Sequence, residues 1–193
     1  MNLSFDEPTH TYSLNGQNVP NVTSVLNDLL PCWQADDWYL QRGKAVHACA
    51  AMIGKGIEFN YDSQIEGQVK AIKKFWQEIK PQPIAIEEKC ASVKYGYACT
   101  PDLIAVTTYS KRKFVFEYKA SFSVSLPYQM VAQSIAWAES NKTKELTHGM
   151  GIEIHQDGNY KLSGMYDLRK YKAGWLALLG AYRIRVKHGI IKR

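Results

Sequence analysis

Three residues in the segment TPDLIAVTTYSKRKFVFEYKA have types and spacing suited to chemistry: Asp102, Glu117 and Lys119. The segment reads as two strands, Pro101 to Thr108 and Phe114 to Ala120. They meet at a turn around Tyr109-Ser110, where the apolar run gives way to Ser110-Lys111-Arg112-Lys113. A hairpin centred there places Asp102 across from Glu117; a slip of one residue in the turn places it diagonally. Opposed side chains on adjacent strands lie about 5 Å apart at Cβ. Lys119, two residues beyond Glu117, shares its face. Carboxylates that close repel, and one is driven toward its protonated form. A hard divalent cation removes that penalty, because magnesium binds through one or two carboxylates plus waters and substrate phosphate. Such a cation lowers the pKa of a bound water and offsets charge on a phosphate. The lysine then orients or deprotonates that water and steadies the developing charge. Phe114, Val115 and Phe116 precede Glu117, so the charges emerge at the end of an apolar strand. An E-x-K alone describes many exposed surface pairs; Asp102 makes this one a candidate centre.

The elements that must position these residues follow from periodicity and punctuation. Around Asn15-Gly16 the short alternating pieces signal a hairpin. Thr23 is a candidate cap for a helix through Leu30, stopped by Pro31. Gly43 to Ile53 reads as an alanine-rich helix ended by Gly54 and Gly56. Ser63 to Lys80 reads as a second helix, with Ile65, Val69, Ile72, Phe75, Trp76 and Ile79 at helical spacing and Pro81 and Pro83 beyond it. Ile84 to Val93 is expected to be a strand ahead of the two central ones. Tyr128 to Ser140 is expected to be helical, His148 to His155 and Tyr160 to Asp167 to be strands, and Ala173 to Lys187 to be the last helix. Helices flanking a central run of strands give an α/β protein with a mixed, partly antiparallel sheet. The expected organisation is one domain over 1–193: an N-terminal hairpin and helices (1–80), a core (84–140), and C-terminal strands with a basic helix (146–193).

Composition bounds the function classes. The chain has 193 residues, 46% hydrophobic and 22% charged, which excludes a disordered or fibrous protein. No apolar run is long enough to span a bilayer, and the N-terminus lacks a basic start followed by an apolar stretch, so the expectation is no membrane association and a cytoplasmic protein. Cys32, Cys49, Cys90 and Cys99 form no CxxC pair, which argues against a zinc knuckle and for free thiols. The net charge of +6 favours polyanionic partners, nucleic acid first. After Asp167 there is no acidic residue, while Arg169, Lys170, Lys172, Arg183, Arg185, Lys187, Lys192 and Arg193 are basic. A phosphate-contacting face, with Arg183, Arg185 and Lys187 on the last helix, is the reading set against a solvated helix end. Tyr95 and Tyr97 are candidates for stacking on unpaired bases as well as for a turn-flanking role. Lys111, Arg112 and Lys113 read as a solvated hairpin tip, with phosphate contact as the lesser reading. His47, taken alone, reads as a core histidine.

Four motifs in order resemble one family. Thr100-Pro101-Asp102 followed by Glu117-Tyr118-Lys119 is similar to the PD-(D/E)xK nuclease signature. Arg42-Gly43-Lys44-Ala45-Val46-His47 resembles the histidine helix of the RecB-like branch. The segment HTYSLNGQNVPNVTSVL resembles the opening of phage and prophage members. Gln129-Met130-Val131-Ala132-Gln133 resembles the glutamine-bearing helix after the E-x-K strand, where either Gln129 or Gln133 fits the motif. Cys99 stands where members often have glycine.

The resemblance implies a restriction-endonuclease-like core. It implies Mg2+ or Mn2+ held by Asp102, Glu117, the Tyr118 carbonyl and His47, with Lys119 as the catalytic lysine. Glu87 or Glu88 matches an acidic position on the first strand. Arg42 and Lys44, on the histidine helix, are expected to contact nucleic acid. With no cysteine after Cys99, no iron–sulfur cluster is expected. The implied activity is a DNA exonuclease of phage-type recombination or DNA processing, in a bacterial or phage-infected cytoplasm. Its partner is single- or double-stranded DNA, and a homo-oligomer or a recombination or single-strand-binding protein is a further partner. A structure-specific endonuclease and a non-cleaving nucleic-acid-binding module of the same fold are the alternatives.

Overall fold

The central hairpin turns at Thr108–Tyr109, one residue before the expected centre, and a register shift between Val106 and Thr107 restores the expected pairing. In the computed structural model, which describes residues 1–7, 9–31 and 36–191, strands β7 (Leu103–Thr107) and β8 (Ser110–Lys119) pair antiparallel with Leu103 opposite Phe116 and Ile104 opposite Val115. Extending that register by one residue sets Asp102, just outside β7, across from Glu117. Asp102 Oδ2 accepts from the Tyr118 backbone N–H at 2.8 Å, which pins the junction.

The N-terminal part is a three-stranded antiparallel sheet of β1 (Leu3–Asp6), β2 (Thr11–Leu14) and β3 (Gln17–Val19), followed by α1 (Val22–Leu29). Asn15 and Gly16 both have positive φ, as a tight hairpin requires. Two long helices come next, α2 (Asp37–Lys55) and α3 (Glu66–Ile79). The main sheet has six strands in the order β10-β9-β8-β7-β4, with β11 also on β9; here β4 is Gln82–Ile86, β9 His148–Ile154, β10 Tyr160–Leu162 and β11 Tyr166–Asp167. Only β8 and β9 are parallel. A parallel pair needs a crossover, supplied by α4 (Leu126–Ser140). The last helix is α5 (Lys172–Lys187).

The sheet is therefore mixed and covered on both faces. Alternation along β8 sends Phe114, Phe116 and Tyr118 to a core shared with Val69, Ile72 and Phe75 of α3. It sends Val115 to the opposite core, shared with α1, α4 and α5. Glu117 has the parity of Val115 and so points toward α4. A smaller cluster joins Tyr12 and Leu14 of the N-terminal sheet to Ala91 and Ala98. Among the described residues no helix is long and apolar enough to cross a membrane.

Several boundaries differ from expectation. Asn21, not Thr23, caps α1, its side chain accepting from Ser24 N at 2.7 Å. The helix read from Gly43 begins at Asp37, capped by Asp36. Gly54 lies inside α2, where a Cβ would stand 2.7 Å from the Trp76 ring; the bare backbone lets α2 close on α3. The single strand expected over Ile84 to Val93 divides at Glu87–Lys89 into β4 of the main sheet and β5 (Cys90–Ser92). The latter pairs with an unanticipated β6 (Tyr97–Cys99). The strand expected over Tyr160 to Asp167 likewise breaks in two, with Gly164 at φ 79° in the gap. Cys32, Trp33, Lys192 and Arg193 lie outside the described residues.

Candidate active site

Asp102 and Glu117 come together at the carboxyl end of β8, where side chains of α2 and α4 meet them. From one side, α2 presents His47, whose Nδ1 lies 3.0 Å from Asp102 Oδ1. From the other, α4 presents Gln129 and Gln133, four residues apart and hence on one helix face. Gln129 Nε2 donates to Glu117 Oε1, and Gln133 Nε2 donates to Oε2 at 2.8 Å. Lys119 Nζ donates to Glu117 Oε1 at 3.0 Å. Both glutamines, offered by the sequence as alternatives, hold the same carboxylate. Gly151 makes this approach feasible. It is Glu117's partner on β9, and a Cβ there would stand 2.6 Å from Leu126 at the start of α4.

Of Glu87 and Glu88, the structure selects Glu87. His47, Glu87 and Asp102 each offer a ligand atom within 4.8 Å of the others. Glu88 instead accepts from Asn141 Nδ2 at 3.1 Å. Glu87 sits where the chain leaves β4, in the left-handed region at φ 51°, and its N–H donates to the Asp102 carbonyl at 3.2 Å. A non-glycine residue rarely adopts that conformation, and such residues gather at functional sites. Periodicity gave no signal for Glu87; only its place in the motif order did.

The charges in the site are strongly coupled. The Asp102 carboxylate raises the His47 pKa to about 9, against the opposing effect of burial. Burial would push Asp102 up, but the His47 charge and hydrogen bond, Lys119 and the Tyr118 N–H outweigh it and hold the carboxyl below its ordinary value. Glu87 is pushed up to about 8 by burial and by the Asp102 charge. Glu117, 2% exposed, is raised by burial and then by Asp102. Burial disfavours the Lys119 ammonium, yet the charges of Glu117 and Asp102 prevail and hold its pKa above the ordinary lysine value. Lys119 is therefore held as an ammonium.

Beside these residues lies a cleft of about 320 Å3, lined among others by Arg42, His47, Gln68, Lys119 and His155. Gln68 and His155 carried no sequence signal. Arg42 stands at the rim with its guanidinium over the rings of Trp38 and Tyr39, at 4.6 and 4.8 Å. Lys44 is exposed on the same helix. Tyr118 joins the site through its backbone; its phenol accepts from Trp76 Nε1 at 3.1 Å inside the α3-side core.

The remaining expected nucleic-acid contacts are placed elsewhere. Tyr97 is fully buried, with its ring against Trp175 and its hydroxyl donating to the Ala132 carbonyl, so it has no face to offer a base. That expectation is corrected: the aromatic alternation before Asp102 serves the core. Tyr95 is half-buried, and its carbonyl accepts from Arg183 Nη2. Arg185 pairs with Asp28 at 2.9 Å, Lys172 with Glu145 at 2.5 Å and Arg169 with Asp167 at 2.8 Å. Much of the basic C-terminal stretch is thus engaged by the protein itself, while Lys187 is exposed. The chain matches no model of a known protein family and no curated protein sequence, so the geometry of this centre is the ground for a functional reading.

Proposed function

We propose that the chain is a metal-dependent deoxyribonuclease, an exonuclease of phage-type recombination or DNA processing in the cytoplasm, built on a restriction-endonuclease-like core of the PD-(D/E)xK, RecB-like kind. The observation that carries this reading is the position of Asp102. It is shared between His47 and Glu87 on one side and the Glu117–Lys119 pair on the other, at the carboxyl end of a strand in a parallel pair.

The donor set fits a hard divalent cation. His47, Glu87 and Asp102, each with a ligand atom within 4.8 Å of the others, are the residues that would hold it. Glu117 accepts three hydrogen bonds, from Gln129, Gln133 and Lys119. A carboxylate has about four lone-pair sites, so one remains for a ligand. Oxygen donors with one imidazole suit Mg2+ or Mn2+. Bound there, such an ion would supply an acidified water and offset charge on the phosphate.

The side chains divide the remaining work. The two glutamines fix the Glu117 carboxylate, as partners of metal ligands commonly do. Lys119, held as an ammonium, orients the nucleophilic water and stabilises the developing phosphate charge. Arg42, at the rim of the cleft, is placed to steady the incoming strand. The histidine helix inclines the reading to an end-directed enzyme by analogy.

The deciding assay compares end-labelled with internally labelled DNA, single- and double-stranded, over a Mg2+ and Mn2+ series. Metal-dependent release from ends is expected, with strong loss in Lys119→Ala. Internal cuts at junctions or branches would move the assignment to a structure-specific endonuclease. Intact DNA under every metal, with Lys119→Ala behaving as wild type, would overturn the enzyme reading and leave a binding module.

A further inference from the structure

The start of β8 lies at the opposite end of the sheet from the site, and it is basic. Arg112 and Lys113 face Lys142, Lys144 and His148 across a concavity of about 800 Å3 between the β7–β8 hairpin and the α4–β9 connection. All four cations are exposed. Among the described residues none of them forms an ion pair, while two acids beside them are already engaged: Glu145 by Lys172 and Asp167 by Arg169. Arg112 is further held by His148, with Nη1 and Nε2 3.4 Å apart and His148 Nδ1 2.8 Å from Thr147 Oγ1. A neutral imidazole donating to Thr147 accepts from the guanidinium and aims it without cancelling its charge. Four like charges around one concavity create a positive potential that attracts an anion. The sequence separates the two halves of this patch by about thirty positions, so only the fold unites Arg112 and Lys113 with Lys142 and Lys144.

We propose that this concavity binds the phosphodiester backbone of nucleic acid, as a contact separate from the cleft at Asp102. The proposal rests on the nuclease reading for its choice of polyanion. The two places are the ends of one strand. Lys113 and Glu117 are four residues apart, and Arg112 and Lys119 seven, or roughly 13–23 Å at about 3.3 Å per residue. A dinucleotide seated in the cleft does not reach the basic end, whereas a strand of some thirty nucleotides reaches both.

The test uses the triple variant Lys113→Glu/Lys142→Glu/Lys144→Glu, with the triple alanine variant beside it. Binding of a fluorescein-labelled 30-mer is followed by anisotropy in EDTA, where no cleavage occurs. The glutamate variant is expected to bind more than tenfold more weakly and the alanine variant to fall between it and wild type. The slope of log K against log salt should drop by roughly 0.7–0.9 for each phosphate contact removed. Cleavage of a dinucleotide substrate should be unchanged. An unaltered 30-mer affinity and salt slope would overturn the proposal. So would poly-glutamate binding as tightly as DNA with the same dependence on these lysines, which would make the patch a dock for acidic protein. If the chain cleaves nothing, the anisotropy result still stands or falls independently, so failure of the nuclease reading is separable from failure of this one.

Discussion

Strand β8 carries opposite chemistry at its two ends. Lys111, Arg112 and Lys113 at its start are exposed, and their charges face solvent. Glu117, near its end, is almost fully buried, and each of its oxygens is met by a donor from another residue. The difference lies in the layers. At the basic end the side chains are exposed, and charge costs little in water. At the acidic end α2 and α4 converge, and a carboxylate persists only if donors or a cation replace its hydration. The basic end therefore suits attraction of an anion, and the acidic end suits chemistry on it.

The sharpest way to break this division is Asp102→Asn. The substitution keeps the side-chain shape and removes a charge that acts on both halves of the cluster. Hydrolysis should fall by about a thousandfold or more, since metal-assisted chemistry supplies several kcal/mol of transition-state stabilisation. Binding of a 30-mer in EDTA should stay the same or tighten, because repulsion of phosphate is relieved. Weaker DNA binding together with lost cleavage would mean that the two ends are not separate in function.

A smaller effect probes how Glu117 is held. In Gln133→Leu the carboxylate loses the donor on Oε2 and becomes freer to turn. Partners of metal ligands typically account for 10–100-fold in metal affinity or activity. The expected result is a loss in that range that rising Mn2+ partly restores. Loss with no dependence on metal concentration would point to a packing role for Gln133 instead.

The sequence made much of this legible, for identifiable reasons. The pairing of β7 with β8 was legible from the two apolar runs, but the turn falls at Thr108–Tyr109, Ser110 to Lys113 belong to the strand, and a register shift after Val106, which no pattern announces, restores the expected register. His47, Asp102, Glu117, Lys119 and the glutamine pair met as the motif order implied. Glu87 was ambiguous because the polar triplet Glu87-Glu88-Lys89 gives no periodicity. The chain changes sheets there, and a left-handed residue turns one acid inward and the other toward Asn141. Tyr97 was misjudged because a three-residue buried strand looks like an aromatic loop. How much of the basic C-terminal stretch is free was not legible, for a different reason. Charge is visible in sequence, but neutralisation is not, and Asp28 and Glu145 reach Arg185 and Lys172 from distant elements. Among the described residues, Arg112 and Lys113 at the start of β8 and Lys142 and Lys144 in the α4–β9 connection are cations that form no ion pair.

The smallest expected effect distinguishes the two ends by pH. In metal-free protein His47 titrates at about 9, raised by Asp102, whereas an ordinary histidine titrates near 6.5. Its contribution to stability is complete below pH 6.5 and is lost as pH rises through 9. Glu87, raised to about 8 by burial and the Asp102 charge, also keeps its proton in the folded state after the unfolded chain has released it near 4.5. Both groups bind more protons folded than unfolded, so stability should decline from pH 6.5 to 9. At the basic end the sign reverses. His148 is lowered by desolvation and by Arg112, so its protonation weakens the fold only below pH 6.5. Thermal midpoints in EDTA should drop by about a few degrees between pH 6.5 and 9, and His47→Gln should flatten part of that slope. Added Mn2+ should stabilise more at pH 9 than at 6.5, because metal binding displaces protons from its ligands. Midpoints that stay level in EDTA across that window would mean that His47 and Glu87 do not hold their protons against Asp102, and the electrostatic contrast between the ends of β8 would lose its acidic half.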